Sequence, residues 1–338
     1  VEWPVVRAWV AGGACLVFLY CFSGFGLALL LGGERFATVE VEIYRLVAYE
    51  LDMARASVLV WLVLAVTAAE GGLYAYWSRR VAVDKSVSPL PPRAPIWAWE
   101  KWLTATVLAM LVLCCLLPLA AVWLKAAAAG SSWAVLLEAQ TWAAVWNTVR
   151  FSAAAVAAAT VLGVLYAAAA RQMAWLRALM FLPFMVSPVC IAFGVLLLYP
   201  QWTASLWLLT ATYALLAYPF VAKDVLAAWD GLPKDYAAAA RTMGANGFQT
   251  ACYVTAPLLK PALRRGLTLA SATCIGEFAA TLFLSRPEWQ TLTTLIYDYL
   301  GRAGADNYGR AMVLTAVLTA LALASFLLVD EAEGQKAV

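Results

Sequence analysis

The stretch Leu232–Gly266, LPKDYAAAARTMGANGFQTACYVTAPLLKPALRRG, decides how this chain is read. It is polar, yet it stands between two long apolar runs. Its Lys234–Met243 segment carries four consecutive alanines, and alanine is the strongest helix former. Pro233 suits the first turn of a helix and Gly244 suits its end. Phe248 follows, and then Pro257. The expected form is one short helix, a sharp turn at Gly244, and a second short helix up to Pro257. Small alanine side chains let such a helix seat closely in a groove on a soluble partner.

The rest of the chain is greasy. Of 338 residues, 64% are hydrophobic and 13% charged, where a soluble domain carries about 25% charged. The mean hydropathy is +0.80. A helical span needs roughly 20 apolar residues. Eight runs approach that length: Trp9–Leu31, Ala56–Trp77, Trp102–Trp123, Val149–Ala170, Leu179–Tyr199, Leu206–Ala222, Leu263–Leu284 and Arg310–Val329. Lipid leaves no backbone group unpaired, and no alternating barrel pattern appears, so an all-α membrane protein of about eight transmembrane helices is expected. Trp77, Trp102, Trp123 and Trp207 stand at span ends, where amphipathic rings anchor.

Basic residues set the sidedness. Arg79, Arg80, Lys85, Arg93 and Lys101 cluster in one connection, and Arg171 and Arg177 flank another. Lys223, Lys234, Arg241, Lys260, Arg264 and Arg265 crowd the loop quoted above. Alternation of eight spans puts all three on one side, which is therefore cytoplasmic. Ser86–Pro95, SVSPLPPRAP, is a connector, since proline favours extended backbone. The acidic Asp330–Glu333 also lands on the cytoplasmic side, against the trend.

Several function classes fall away. Histidine is absent, which removes His-based catalysis, His metal ligands and the usual near-neutral proton relay. The seven cysteines form no CxxC pair and read as small buried hydrophobes. No catalytic residue, metal site or cofactor is expected, and no nucleic-acid partner. No GxxxxGK[ST] occurs, so the chain should not bind ATP by a P-loop. An ion-gradient-driven secondary transporter is the alternative reading, but it usually needs several intramembrane carboxylates. Glu277 reads as the only acid well inside an apolar span.

The two ends of the chain repeat each other. One constant displacement takes Val1 to Val254, Pro4 to Pro257, Gly13 to Gly266 and Cys21 to Cys274. It also takes Phe25 to Phe278, Thr38 to Thr291, and Ile43-Tyr44 to Ile296-Tyr297. A slip of two residues then brings Arg55-Ala56 onto Arg310-Ala311. The expected division is residues 1–78 as the last two spans of a first unit and 79–101 as a cytoplasmic linker. Residues 102–330 form a second six-span unit, with a cytoplasmic loop at 223–262, and 331–338 a tail. On this reading the chain lacks the earlier part of its first unit.

The quoted loop resembles the E-A-A-x-x-x-G loop of ABC importer permeases. Ala239, Ala240 and Gly244 match that pattern; Ala238 stands where the family has glutamate, with Asp235 nearby as a partial substitute. Arg241, Ala245, Phe248 and Pro257 complete the match. Phe25–Tyr44, Asn147–Phe151 and Glu277-Phe278 through Tyr297 are similar to the fused two-unit permeases of ferric iron and thiamine importers. The resemblance implies a type I permease fold in a bacterial inner membrane. It also implies two copies of an ABC ATP-binding subunit, a periplasmic or lipid-anchored solute-binding protein, an N-terminal permease half absent from this chain, and lipid around the bundle. ATP hydrolysis then belongs to separate subunits, so the chain itself is no enzyme. Ferric iron is the favoured cargo and thiamine the next.

Four residues are candidates for the translocation path. A charge in lipid costs several kcal/mol, so Glu277 should face protein or water. Proline frees backbone carbonyls and kinks helices, which marks Pro188 with its neighbour Ser187, and Tyr218 beside Pro219.

Overall fold

The computed structural model describes residues 3–32, 35–79, 97–180, 182–202 and 205–330, and no strand occurs among them. The first part runs α1 (Trp3–Phe22), the one-turn α2 (Phe25–Leu27), α3 (Val39–Arg45) and α4 (Met53–Arg79). After α5 (Ala98–Ala127) a 3-10 stretch, Gly130–Leu137, leads into α6 (Ala139–Gln172). Three short helices follow: α7 (Ala174–Leu179), α8 (Leu182–Met185) and α9 (Pro188–Leu198). Then come α10 (Leu206–Gly231), α11 (Lys234–Thr242), α12 (Gly247–Thr250) and α13 (Ala256–Ile275). The chain closes with α14 (Ala279–Leu284), α15 (Leu292–Gly301) and α16 (Ala305–Asp330).

Five helices among the described residues are long and apolar enough to cross a membrane: Met53–Tyr74, Ala98–Ala127, Ala139–Gln172, Leu206–Gly231 and Ala305–Val329. The expectation of eight unbroken spans needs correction at three places. Trp9–Leu31 stops at Phe22 and resumes after Gly24 as the single turn α2. Leu179–Tyr199 divides at Pro183 and Pro188, which lack the N–H that would carry the helix through. Its longest piece, the 11-residue α9, is about 16 Å long, short of a bilayer core. Leu263–Leu284 breaks at Gly276-Glu277-Phe278, and the first half of α13 holds Lys260, Arg264 and Arg265.

The linker expected at 79–101, with its proline run, and the tail 331–338 fall almost entirely outside the described residues. Trp99–Lys101 belong to α5, not to a linker. The cysteines also differ from expectation. Cys15, Cys190 and Cys274 are buried, but Cys21, Cys114, Cys115 and Cys252 are exposed. Cys114 and Cys115 lie on α5, whose apolar stretch turns outward on every face; lipid or another apolar helix suits such a surface.

The central packing is a three-helix crossing of α6, α10 and α13. Alanines recur among its buried positions, Ala155, Ala159, Ala167 and Ala170 on α6, Ala214, Ala217 and Ala222 on α10, and Ala270 on α13, beside larger residues such as Leu209, Tyr213 and Val225. Lipid tails are as apolar as leucine, so helices in a bilayer gain by close van der Waals approach instead of by hiding grease. The closest point is Val221. A Cβ on Gly163 would lie 2.7 Å from the Val221 Cβ, and one on Gly266 would lie 2.7 Å from the Val221 Cα.

At the other end of the bundle, polar groups fasten α6, α15 and α16. Arg310 pairs with Glu138 at 2.6 Å and with Asp306 at 2.8 Å. The Tyr299 hydroxyl donates to Glu138 at 2.9 Å, and the Ser132 hydroxyl donates to Asp306 at 2.8 Å. In the first part, Arg55 pairs with Asp52 in the matching place before α4.

Helix boundaries follow the displacement read from the sequence. It carries Phe22, the end of α1, onto Ile275, the end of α13. It also carries Val39, the start of α3, onto Leu292, the start of α15.

Gly13 and its counterpart Gly266 give a matched test. A Cβ on Gly13 would meet nothing within 4 Å, whereas one on Gly266 would meet α10 backbone. We predict that Gly266→Ala destabilises the solubilised protein by about 1–3 kcal/mol, while Gly13→Ala is neutral or slightly stabilising. Thermal unfolding in one detergent checks both; equal midpoints would contradict the close crossing.

Candidate functional site

The quoted loop forms a compact two-helix hook below α10. The chain leaves α10 at Gly231, turns through Leu232 and enters α11. Pro233 is the cap before the first turn rather than a member of it. α11 ends in a Schellman turn: Gly244 N–H donates to Arg241 O and Ala245 N–H to Ala240 O, both at 3.0 Å. The turn needs the left-handed backbone that Gly244 adopts, at φ +87°. α12 then starts at once with a capping box. Gln249 N–H donates to Asn246 Oδ1 at 2.8 Å, and Asn246 N–H to Gln249 Oε1 at 2.9 Å.

One expectation is corrected here. Pro257 does not end the second helix; it lies in the first turn of α13. The wide five-residue turn Ala251–Thr255 joins α12 to α13 and absorbs the N–H that proline lacks.

Asp235, Ala238, Ala239, Arg241, Gly244, Phe248 and Pro257 are all exposed, and Ala240 and Ala245 are partly so. Around them stand large apolar side chains with little cover: Met243 is 87% exposed, Tyr253 79%, Phe248 78% and Tyr236 54%. Greasy residues this open, outside any span, mark a surface that a partner covers. Between the hook and the bundle lies a cleft of about 420 Å³, lined in part by Arg171, Trp229, Tyr236, Ala238, Arg241 and Val254.

The hook is tied to the bundle. Arg177 binds Asp230 with both guanidinium nitrogens, at 2.7 and 3.1 Å, and donates to Ala170 O at 3.0 Å. The Arg171 guanidinium lies 4.8 Å from the Trp229 ring. The connection after α6 and the hook after α10 thus meet on one side, as the charge pattern requires. Sequence reading did not single out Trp229, Asp230, Tyr236 or Tyr253. The signal was present: bulky apolar residues in an otherwise polar loop.

The four path candidates do not share one site. Glu277 and Pro188 line a cavity of about 160 Å³ with Leu19, Ser23, Phe220 and Thr273 among others. Ser187 is fully buried and accepts from Val189 N–H, capping α9. Tyr218 packs on Tyr166, ring centroids 5.4 Å apart, and does not line that cavity. Glu277 lies in the break between α13 and α14, where its carboxylate accepts from Ala280 N–H at 3.0 Å. It is not the only acid in an apolar stretch. Glu70 lies within α4, beside Cys15, and also inside the Ala56–Trp77 run read from the sequence.

Phe25 and Phe278, counterparts under the displacement, stack at 5.9 Å. Tyr44 packs edge-on against Phe25 at 5.8 Å and Phe283 at 5.4 Å, and Tyr297 lies 5.4 Å from Phe278. Beside this cluster sits Glu40, which sequence reading passed over. It is 1% exposed, and neither carboxylate oxygen has a well-aligned hydrogen bond. Burial raises its pKa from the usual 4.5 to about 7, against the nearby Ser187 hydroxyl and Phe25 N–H, which favour the charged form.

Broken helices at a junction of repeated halves, with an exposed two-helix hook on one side, are the architecture of an importer permease. Residues 159–331 match the family described as "Binding-protein-dependent transport system inner membrane component". The match takes in more than half of the chain, and the chain belongs to this family of multi-pass inner-membrane proteins. It is similar to the thiamine transport system permease protein ThiP of Salmonella typhimurium, 25% identical over 353 residues, covering 100% of this chain and 65% of the relative. ThiP of Escherichia coli is 24% identical over 356 residues, covering 99% and 64%. The putative 2-aminoethylphosphonate transport system permease protein PhnV of Salmonella typhimurium is 27% identical over 196 residues, covering 55% and 73%. The chain therefore spans a little under two thirds of the length of the thiamine permeases it matches. The lean towards ferric iron is not supported by these relatives and is withdrawn.

Two outcomes follow from this geometry. Asn246→Ala should remove the capping box and cost about 1 kcal/mol locally, read as faster amide exchange in 247–255 with α10 unchanged. Glu40 favours its uncharged form when folded, so its contribution to stability falls as pH rises from about 4.5 to about 7 and is flat above. The thermal midpoint should therefore drop by several degrees more between pH 5 and pH 8 in the natural protein than in Glu40→Gln; identical pH profiles would contradict the assignment.

Proposed function

We propose that this chain is part of the membrane conduit of a binding-protein-dependent importer, powered by ATP hydrolysis in separate subunits. The observation that carries the reading is the hook: α11 and α12, capped, tied through Asp230 and bearing open apolar side chains. Asp235, Ala238, Ala239, Ala240, Arg241, Gly244, Ala245, Phe248 and Pro257 form the ATPase-contacting surface. Ala238 lines the cleft in place of the family's glutamate, and the open aromatic side chains supply contact that the missing acid does not. When two ATP-binding subunits close on nucleotide, α11 is pushed, and α10 and α13, which flank it, tilt about their crossing at Val221.

Residues 1–78 and 102–330 act as portions of two units of one permease. Support comes from the matching ends of α1 and α13, the matching starts of α3 and α15 and the meeting of Phe25 with Phe278. The solute is thiamine or a thiamine-like cation delivered by a solute-binding protein; the similarity to thiamine permeases along the whole chain favours it over an aminoethylphosphonate. Family membership leaves the ion-gradient alternative without support.

Uptake of labelled thiamine, with the complete permease and its partner subunits in vesicles, tests this reading. Gly244→Asp should abolish ATP-driven uptake while the protein still inserts, because a side chain at φ +87° strains the turn and the charge meets the partner. A cysteine at Met243 should crosslink to the ATP-binding subunit in a nucleotide-dependent manner. Normal uptake by Gly244→Asp, or labelling of Met243→Cys only from the outer face, would overturn the role of the hook.

A further inference from the structure

The cavity beside Glu277 has an unbalanced charge. It forms where α1, the broken α8–α9 region, α10 and the α13–α14 break converge, so both repeated halves contribute to it. Its lining is Leu19, Pro183, Val186, Leu216 and Phe220 as grease, with Pro188, Ser23, Thr273 and Glu277. Glu277 is the one charged side chain in that lining, and among the described residues it forms no ion pair within 4.0 Å. Its carboxylate is partly committed, since it accepts from Ala280 N–H at the start of α14. The Thr273 hydroxyl already donates to Leu269 O at 2.9 Å, and the Ser23 hydroxyl is buried without a partner. The Lys223 ammonium lies 3.9 Å from the Asp224 carboxylate and 5.9 Å from the Phe220 ring.

A carboxylate in apolar surroundings is costly unless something positive answers it. A second acid, Glu40, is buried behind the same junction next to Ser187, again with no recorded ion pair. Two acids thus stand at this junction, Glu277 at the cavity and Glu40 behind it in a setting that favours its uncharged form, and the stacked Phe278 is Glu277's neighbour in the chain. Aromatic faces attract cations for the same electrostatic reason that carboxylates do. A site that lacks balancing charge selects for the sign that restores it and rejects the opposite sign.

We propose that this cavity admits a positively charged group of the travelling solute, with the Glu277 carboxylate as its counter-charge. The inference rests on the permease reading above and adds the side chain that meets the solute's positive charge and its place in the fold. At about 160 Å³ the cavity is smaller than the roughly 300 Å³ of an ordinary ligand pocket. It therefore seats one charged group, such as a ring or a quaternary ammonium, while the remainder of the solute lies outside. Ser23 offers its unpartnered hydroxyl opposite. Glu277 keeps its bond to Ala280 N–H throughout, so α14 holds the charge in place while the solute passes.

The test reads the local field without relying on transport. In the complete permease complex, with native cysteines replaced, Thr273→Cys is reacted with a cationic trimethylammonium-ethyl methanethiosulfonate and with its anionic sulfonato-ethyl analogue. The same is done in a Glu277→Gln background and, as a second position, with Ser23→Cys. The cation-to-anion rate ratio, corrected for the intrinsic reactivity of the reagents, should be about tenfold higher with Glu277 than with E277Q, equivalent to about 1.4 kcal/mol. Ratios that agree within a factor of two would overturn the proposal, as would failure of both positions to react with either reagent. ATP-driven uptake measured on the same vesicles separates the two readings. Lost charge preference with uptake intact removes only the cation site, whereas uptake that is independent of ATP removes the permease reading.

Discussion

The packing of α6, α10 and α13 turns on their close approach at Val221. Gly163 and Gly266 approach it so closely that a methyl group on either would collide with α10. In lipid this closeness is itself the attraction, because grease has nowhere better to go. The crossing locks α6, α10 and α13 at one level while leaving their ends less constrained. The hook hangs from two of these three helices, between Gly231 and Ala256. A force on α11 therefore reaches the bundle as rotation about a tight point and not as a local dent. Rigid capping on both sides of Gly244 keeps the force from being lost in the loop.

The broken helices serve the opposite purpose. α1, α13 and the α8–α9 region all stop short near the junction of the halves. A helix break exposes backbone groups, which lipid cannot satisfy, so breaks survive only against protein or water. Here the carbonyl of Glu277 accepts from the Thr293 hydroxyl at 3.1 Å and the Thr281 hydroxyl at 3.2 Å, and the Tyr213 hydroxyl also reaches it, at 3.4 Å. The break is thus a built feature held by α10, α14 and α15. The corresponding break in the first part, at Gly24, has no acid of its own, and Glu40 from α3 comes to lie beside it. The two halves carry the same architecture with carboxylates supplied from different places.

The hook was legible because local rules decide it. Four alanines, Gly244 and the Asn246–Gln249 pair each act on neighbours a few residues away, and the capped helices form where the sequence puts them. The error at Pro257 came from reading proline as a stop, when a wide turn just upstream makes it a start. The count of spans failed for a related reason. Hydropathy measures what a run is made of; it does not register that Glu277, Pro183 or Ser23-Gly24 interrupts the backbone.

Composition and periodicity alone established a helical membrane protein and its polar hook, because both depend on residue type and spacing along the chain. Which residues meet across the chain was settled only by packing. Arg177 finding Asp230, Phe25 lying on Phe278, Glu277 facing Ser23 and Glu40 coming to rest beside Ser187 all join segments far apart in sequence. Such meetings depend on how closely small-residue helices approach and at what angle they cross, and a linear string of apolar letters does not encode that angle.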